Sequence, residues 1–158
     1  MSSVYLGLGS NLGGKQGNIK KALALITERV GDILALSGFY ETHPWGYDSS
    51  ETYINTAVGI ETKLNPEELL HITQGIEREL GRKEKTIGGK YCDRVIDIDI
   101  LLYDNLILHT TELIIPHPLI HQRVFVLQPL SEIAPDFIHP VSGRTIIELR
   151  DLLKEEKR

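Results

Sequence analysis

From Val4 to Ser10 apolar positions alternate, with Val4, Leu6 and Leu8 on one side, the period of a β-strand. GSNLGG follows as a turn. Ile19, Leu23, Ile26 and Val30 recur at three- and four-residue steps, which predicts an amphipathic helix. Gly31-Asp32 ends it, and Ile33 to Glu41 reads as a second strand. THPWGYDSSE is a loop. Tyr53 to Lys63 is a third strand, with Ile54, Thr56, Val58 and Ile60 on one face and Tyr53, Asn55, Ala57 and Gly59 on the other. NPEELL opens a second helix: Asn65 can cap, Pro66 suits the first helical position, and Glu67 and Glu68 complement the dipole. Gly81 stands where a helix C-terminal glycine belongs. RKEKTIGGKY, residues 82–91, is a basic loop. DRVIDIDILLYDN, 93–105, is a fourth strand, with Ile96, Ile98, Ile100 and Leu102 turned to the core. The order β-α-β-β-α-β is that of a ferredoxin-like α+β sandwich, with helices on one face of the sheet. An additional C-terminal strand at 106–108, a short helix starting near Pro118 and a closing helix from Thr145 to Lys154 complete the expectation.

Composition changes this picture little. The 158 residues favour a single domain over 1–158, large enough for a real core. The net charge of -5 argues against a general nucleic-acid binder but leaves room for a local basic pocket. No run approaches the roughly 18 apolar residues of a membrane span. The N-terminus lacks the features of a signal peptide. Cys92, the one cysteine, cannot form an internal disulfide. A cytoplasmic protein is the expectation.

The chemistry concentrates in the fourth strand. Asp97 and Asp99 share a face, with Cβ atoms roughly 6–7 Å apart. Two carboxylates that close repel unless a cation neutralises them. Mg²⁺ suits such a pair, completing its shell with water and substrate phosphate. A solvent-facing strand with two exposed aspartates fits the bare pattern equally well, and the rarity of aspartate in strands tilts towards a site. Arg94 precedes the pair, and Arg82, Lys83, Lys85 and Lys90 crowd the loop before it. That combination suits a polyphosphate, or else a solvated charged turn. Tyr53 and Asn55 could stack on and hydrogen-bond a flat heterocycle, although a half-exposed strand face accounts for them as simply. Gln74 and Glu77 share one helix face and, taken alone, read as ordinary helix surface. His117 and His121 have a zinc-like spacing, but Pro118 lies between them and no third ligand is evident. A phosphate contact by one of them suits the pattern better. Cys92 reads as structural or incidental. No P-loop, dinucleotide fingerprint or G-x-S-x-G elbow is present.

RVIDIDILLY resembles the signature R-x-x-D-[LIV]-D-[LIVM]-[LIVM] of the 6-hydroxymethyl-7,8-dihydropterin pyrophosphokinases. GLGSN at 7–11, FYETHPWG at 39–46, YINTAV at 53–58 and TQGIE at 73–77 are similar to family segments in order and spacing. So are GR at 81–82, IPH at 115–117, RVF at 123–125 and PLSEIAP at 129–135. The resemblance implies transfer of pyrophosphate from ATP to the hydroxymethyl group of the dihydropterin, releasing AMP, in folate biosynthesis. It implies a ferredoxin-like fold and two Mg²⁺ ions held by Asp97 and Asp99. It implies a pterin pocket of Thr42, Pro44, Tyr53, Asn55 and Phe125, with Phe125 and Tyr53 sandwiching the ring. Gln74, Glu77, Arg82, Arg94, Ile100, His117 and Arg123 match nucleotide-side positions. Asp97, Asp99, Arg94 and Arg82 would carry the chemistry. Both substrates are small molecules, and the expected state is a monomer.

Some positions depart from the family pattern. Cys92 and Asp93 stand where small residues or proline are usual before the arginine. Glu84 replaces a second basic residue after Arg82. Glu112 and Ile114 replace an arginine and a threonine used around the nucleotide. These changes bear on ATP contacts and loop closure. A catalytically silent ligand-binding module and a different metal-dependent phosphotransferase are the competing readings. The Tyr53, Asn55 and Phe125 set separates the latter from a pterin enzyme.

Overall fold

The computed structural model describes residues 1–42, 52–81, 86–87, 90–91 and 95–156, with backbone alone at 86–87 and 90–91. Its elements are β1 (Ser2–Ser10), α1 (Lys15–Arg29), β2 (Gly31–Leu36), β3 (Tyr40–Thr42), β4 (Tyr53–Thr62), α2 (Pro66–Glu79), β5 (Thr86–Ile87), β6 (Lys90–Tyr91) and β7 (Asp97–Tyr103). Then come β8 (Leu108–His109), β9 (Ile114–Ile115), a 3-10 turn at Ile120–Gln122, α3 (Val124–Ile133) and α4 (Ile146–Glu156). No helix among the described residues is long and apolar enough to cross a membrane.

The main sheet runs β2-β4-β1-β7, all antiparallel, with β3 also pairing β4. This is the strand order of the ferredoxin-like sandwich. α1 packs through Ile19, Ala22 and Ile26. α2 starts on a complete capping box, the Asn65 side chain accepting from Glu68 N–H and the Glu68 side chain accepting from Asn65 N–H. Gly81 follows it at φ +113, as its place in the sequence predicts. Both helices cover one face of the sheet, over Val4, Leu6, Leu8, Ile60 and Ile98.

The other face is covered too, which corrects the one-sided expectation. α3 and α4 bury Leu127, Leu130 and Leu149 against Ala57, Leu101 and Leu102. β4 is accordingly buried along nearly its whole length. Leu102 also departs from the expected alternation. The pairing of β7 with β1 shifts register between Tyr5 and Leu6, so Leu6 faces Ile100 and Tyr5 faces Leu102. Leu101 is the extra residue, as in a β-bulge. Ile98 and Ile100 therefore serve the first layer, Leu101 and Leu102 the second, and Tyr103 the first again.

The predicted strand from Ile33 to Glu41 divides in two. Its pairing with β4 is irregular between Ile33 and Ala35. At Ser37 the side-chain hydroxyl, in place of a backbone carbonyl, accepts Ala57 N–H at 2.9 Å. Gly38 leaves the ladder, and β3 rejoins β4 further along. The expected strand at 106–108 is β8, displaced to 108–109 and paired with β9. The helix expected from Pro118 begins only at Val124. His117 explains the delay: its Nδ1 accepts Leu119 N–H at 3.2 Å and its backbone N–H donates to Leu101 O at 3.0 Å, pinning this stretch to β7. The intervening Ile115–Pro116 peptide is cis.

Candidate active site

Strand register assembles the site. Tyr40 pairs with Asn55, Asn55 with Gly9, and Gly9 with Asp97. One step on, Ala57 pairs with Gly7 and Gly7 with Asp99. Residues directly opposite in an antiparallel sheet share a face, so Asn55, Asp97 and Asp99 project together, on the face that α3 and α4 cover further along. With strands about 4.8 Å apart, Asn55 and Asp97 stand about 10 Å from each other.

The ground between them is glycine. A Cβ on Gly9 would come 3.0 Å from Asn55 Oδ1 and 3.6 Å from the Tyr53 ring. A side chain there would fill the gap, so Gly9 leaves an open floor with Tyr53 and Asn55 on one side and Asp97 on the other. In sequence, GLGSN is the end of the first strand running into the turn, and a family segment. Its alternate glycines, opposite the alternate aspartates, are the signal for this floor, visible only once pairing is known.

Asn55 is 8% exposed, and its Nδ2 donates to Thr42 Oγ1 at 2.9 Å. That bond turns Oδ1 towards the floor as an acceptor. Thr42 itself pairs with Tyr53. Phe125 lies at the start of α3, with the Arg123 guanidinium 5.5 Å from its ring centroid. Pro44, Arg82 and Arg94 lie outside the described residues, as do the loops at 43–51 and around Cys92.

Asp97 and Asp99 are half-buried, alternating with buried Ile98 and Ile100. The strand beneath them is held on both sides. Ser10 Oγ donates to Val95 O, just before β7. Glu77, only 5% exposed, accepts Ile98 N–H through Oε2 at 2.8 Å. The sequence expectation of ordinary helix surface at Glu77 is thus corrected. β7 ends the sheet, so the N–H of Ile98, directed away from β1, needs an acceptor from α2. Ile100, two residues on, turns its main chain to that same edge. Gln74, one turn before Glu77 on α2, is half-buried.

Arg123 and Asp97 are both close enough to His117 to act on its charge. Burial and the Arg123 charge lower the His117 pKa to about 4, with Asp97 opposing them weakly. The ring is therefore neutral at pH 7. Its Nδ1 is an acceptor, so the proton sits on Nε2, a fixed donor. Among the described residues, no group of three or more His, Cys, Asp or Glu side chains is placed to hold an ion.

The profile of the 7,8-dihydro-6-hydroxymethylpterin-pyrophosphokinase family matches residues 5–135. The chain belongs to this family. It is 50% identical over 141 residues to the 2-amino-4-hydroxy-6-hydroxymethyldihydropteridine pyrophosphokinase of Porphyromonas gingivalis, spanning 89% of this chain and 95% of that one. To the enzyme of the same name from Aquifex aeolicus it is 39% identical over 150 residues, spanning 95% and 91%. Among solved structures, an HPPK-DHPS in complex with substrates superposes with a TM-score of 0.79 at 18% identity. The match covers 99% of this chain and 44% of that longer one, so the pyrophosphokinase chain spans under half of it. Plasmodium falciparum wild-type HPPK-DHPS gives 0.78 at 17%, covering 98% and 46%. These two likenesses bear on the fold.

Proposed function

We propose that this chain transfers pyrophosphate from ATP to the hydroxymethyl group of 6-hydroxymethyl-7,8-dihydropterin, giving the pterin diphosphate and AMP in folate biosynthesis. The observation that carries the reading is the row Asn55, Gly9, Asp97. It puts an amide and a carboxylate on one face with bare backbone between, which supports a ring held at Asn55 beside phosphates held at Asp97.

In this reading the pterin lies over the glycine floor between Tyr53 and Phe125. Asn55 Oδ1 and the Thr42 hydroxyl hydrogen-bond its edge, and Pro44, outside the described residues, would belong to the same pocket. The ring's hydroxymethyl arm then points along the row towards Asp97. Asp97 and Asp99 suit Mg²⁺: two half-buried carboxylates, with no third acidic or imidazole ligand grouped with them among the described residues, leave most of the ion's shell to water and phosphate. Two Mg²⁺ ions held there would supply charge neutralisation and acidify the attacking hydroxyl. On the nucleotide side, the neutral His117 donates from Nε2 and Arg123 adds charge, while Arg82 and Arg94 bind the remaining phosphate oxygens. At the sheet edge, Ile100 on β7 and Gln74 on α2 would receive the base. Glu77 holds the strand under both carboxylates. Phosphoryl-type transfer asks the protein mainly for alignment and charge stabilisation, and these are what the groups supply. The chain works as one domain over residues 1–158, as a monomer in the cytoplasm.

Incubation with ATP, Mg²⁺ and the hydroxymethyl-dihydropterin tests the reading. AMP and the pterin diphosphate are expected. ADP, or no turnover, overturns it.

A further inference from the structure

We propose that Glu132 is a positioning residue for the pterin, setting the spacing between the two walls of its pocket by tying the β2–β3 corner to the C-terminal end of α3. The inference rests on the pterin pocket proposed above. One wall is Phe125, near the start of α3. The other is Tyr53, Asn55 and Thr42, on β4 and β3. Glu132 joins the two. It lies seven residues after Phe125, two turns along the same helix and about 10 Å up its axis.

Both carboxylate oxygens of Glu132 are used. Oε2 accepts Gly38 N–H at 2.9 Å. Oε1 accepts the Tyr40 hydroxyl in a short hydrogen bond. Gly38 is where the chain leaves the sheet, so its N–H has no ladder partner and needs this acceptor. Tyr40 opens β3 and pairs with Asn55, and Thr42, two residues on, receives the Asn55 amide. The path from Glu132 to the ring-binding amide is thus one side-chain bond and one short strand. The contact to Glu132 also raises the Tyr40 pKa, keeping the phenol protonated as a donor. Arg150 on α4 steadies the same end of α3, its Nη1 donating to Ser131 Oγ at 3.3 Å. Glu132 is exposed and takes no part in either core cluster. Its loss should therefore shift β3 without unfolding the layer beneath.

The test measures pterin affinity by calorimetry, in the presence of Mg²⁺ and a non-hydrolysable ATP analogue, for wild type, Glu132→Ala, Glu132→Gln and Tyr40→Phe. Glu132→Ala should weaken pterin binding about 10-fold, the scale of a lost charge-assisted pair. Affinity for the ATP analogue should change less than about 2-fold, and the unfolding midpoint should stay near that of wild type. Glu132→Gln, which keeps one acceptor, should recover part of the loss. Tyr40→Phe should lose affinity too, and add little in the double variant with Glu132→Ala, because both break one link. Unchanged pterin affinity in Glu132→Ala, equal losses for both ligands, or full additivity overturns the inference. Failure of the wild type to release AMP would overturn the reaction alone, since the affinity comparison does not depend on turnover.

Discussion

The aspartates and the histidine opposite them make separable claims. In the proposed reading, removing either carboxylate would take away one of the two side chains offered to the cation. Asp97→Ala and Asp99→Ala should each lower kcat by about 10³-fold or more, with circular dichroism unchanged because neither side chain belongs to the core. A rate near wild type in either variant would remove the metal platform. His117 predicts a stability effect. Its pKa falls from 6.5 to about 4 on folding, so between these values the unfolded chain binds the extra proton. Stability therefore rises with pH through that window and is lost as pH falls from about 6.5 towards 4. Allowing for the ring's partial exposure, the loss is about 2 kcal/mol. Urea midpoints at pH 7 and pH 4.5 should show a drop in wild type that His117→Gln reduces by that amount. The sequence displayed the acidic pair, Tyr53, Asn55 and the histidine as candidates. It hid Gly9, because a glycine earns meaning only from what lies across from it.

Among the elements, α2 was the most legible, since its boundaries are written in local chemistry: Asn65, Pro66, Glu68 and Gly81 act on their own helix ends. Asn65→Ala removes one half of the capping box and should cost about 1 kcal/mol, read as a fall of about 3 °C in melting temperature. Glu77 on the same helix was misjudged because its partner, Ile98 N–H, is distant in sequence and a buried carboxylate looks like any other in a helical repeat. The split of β2 from β3 was illegible for a related reason. Alternation runs on through Ser37, and only the hydroxyl's bond to Ala57 N–H shows that the strand has stopped. The C-terminal third was least legible. Its starting point is set by His117 holding to β7, a tertiary contact that no local pattern records.

At the scale of the molecule, the sheet is filled on both faces, and the two layers meet through it. The first layer was foreseen from α1 and α2. The second was not, because Ala57 and Gly59 look like an open strand face until α3 is placed over it. If both layers are one cooperative structure, Leu127→Ala, in the buried centre of the second, should cost about 2–5 kcal/mol. Its unfolding should remain a single transition by both far-UV and near-UV signals. Two separated transitions would show that the layers melt independently.

The extra residue at Leu101 has a bearing on how this protein can vary. Upstream of it, odd-numbered positions of β7 carry the carboxylates; downstream, parity resets and the chain serves packing. A deletion between Asp97 and the bulge would turn a carboxylate inwards among isoleucines, whereas one beyond it would disturb packing alone, against α3 and α4 at Leu102 and in the first layer at Tyr103. The strand is thus two tracts joined by a phase change, and the hydrophobic tract can drift over generations without rotating the acidic one.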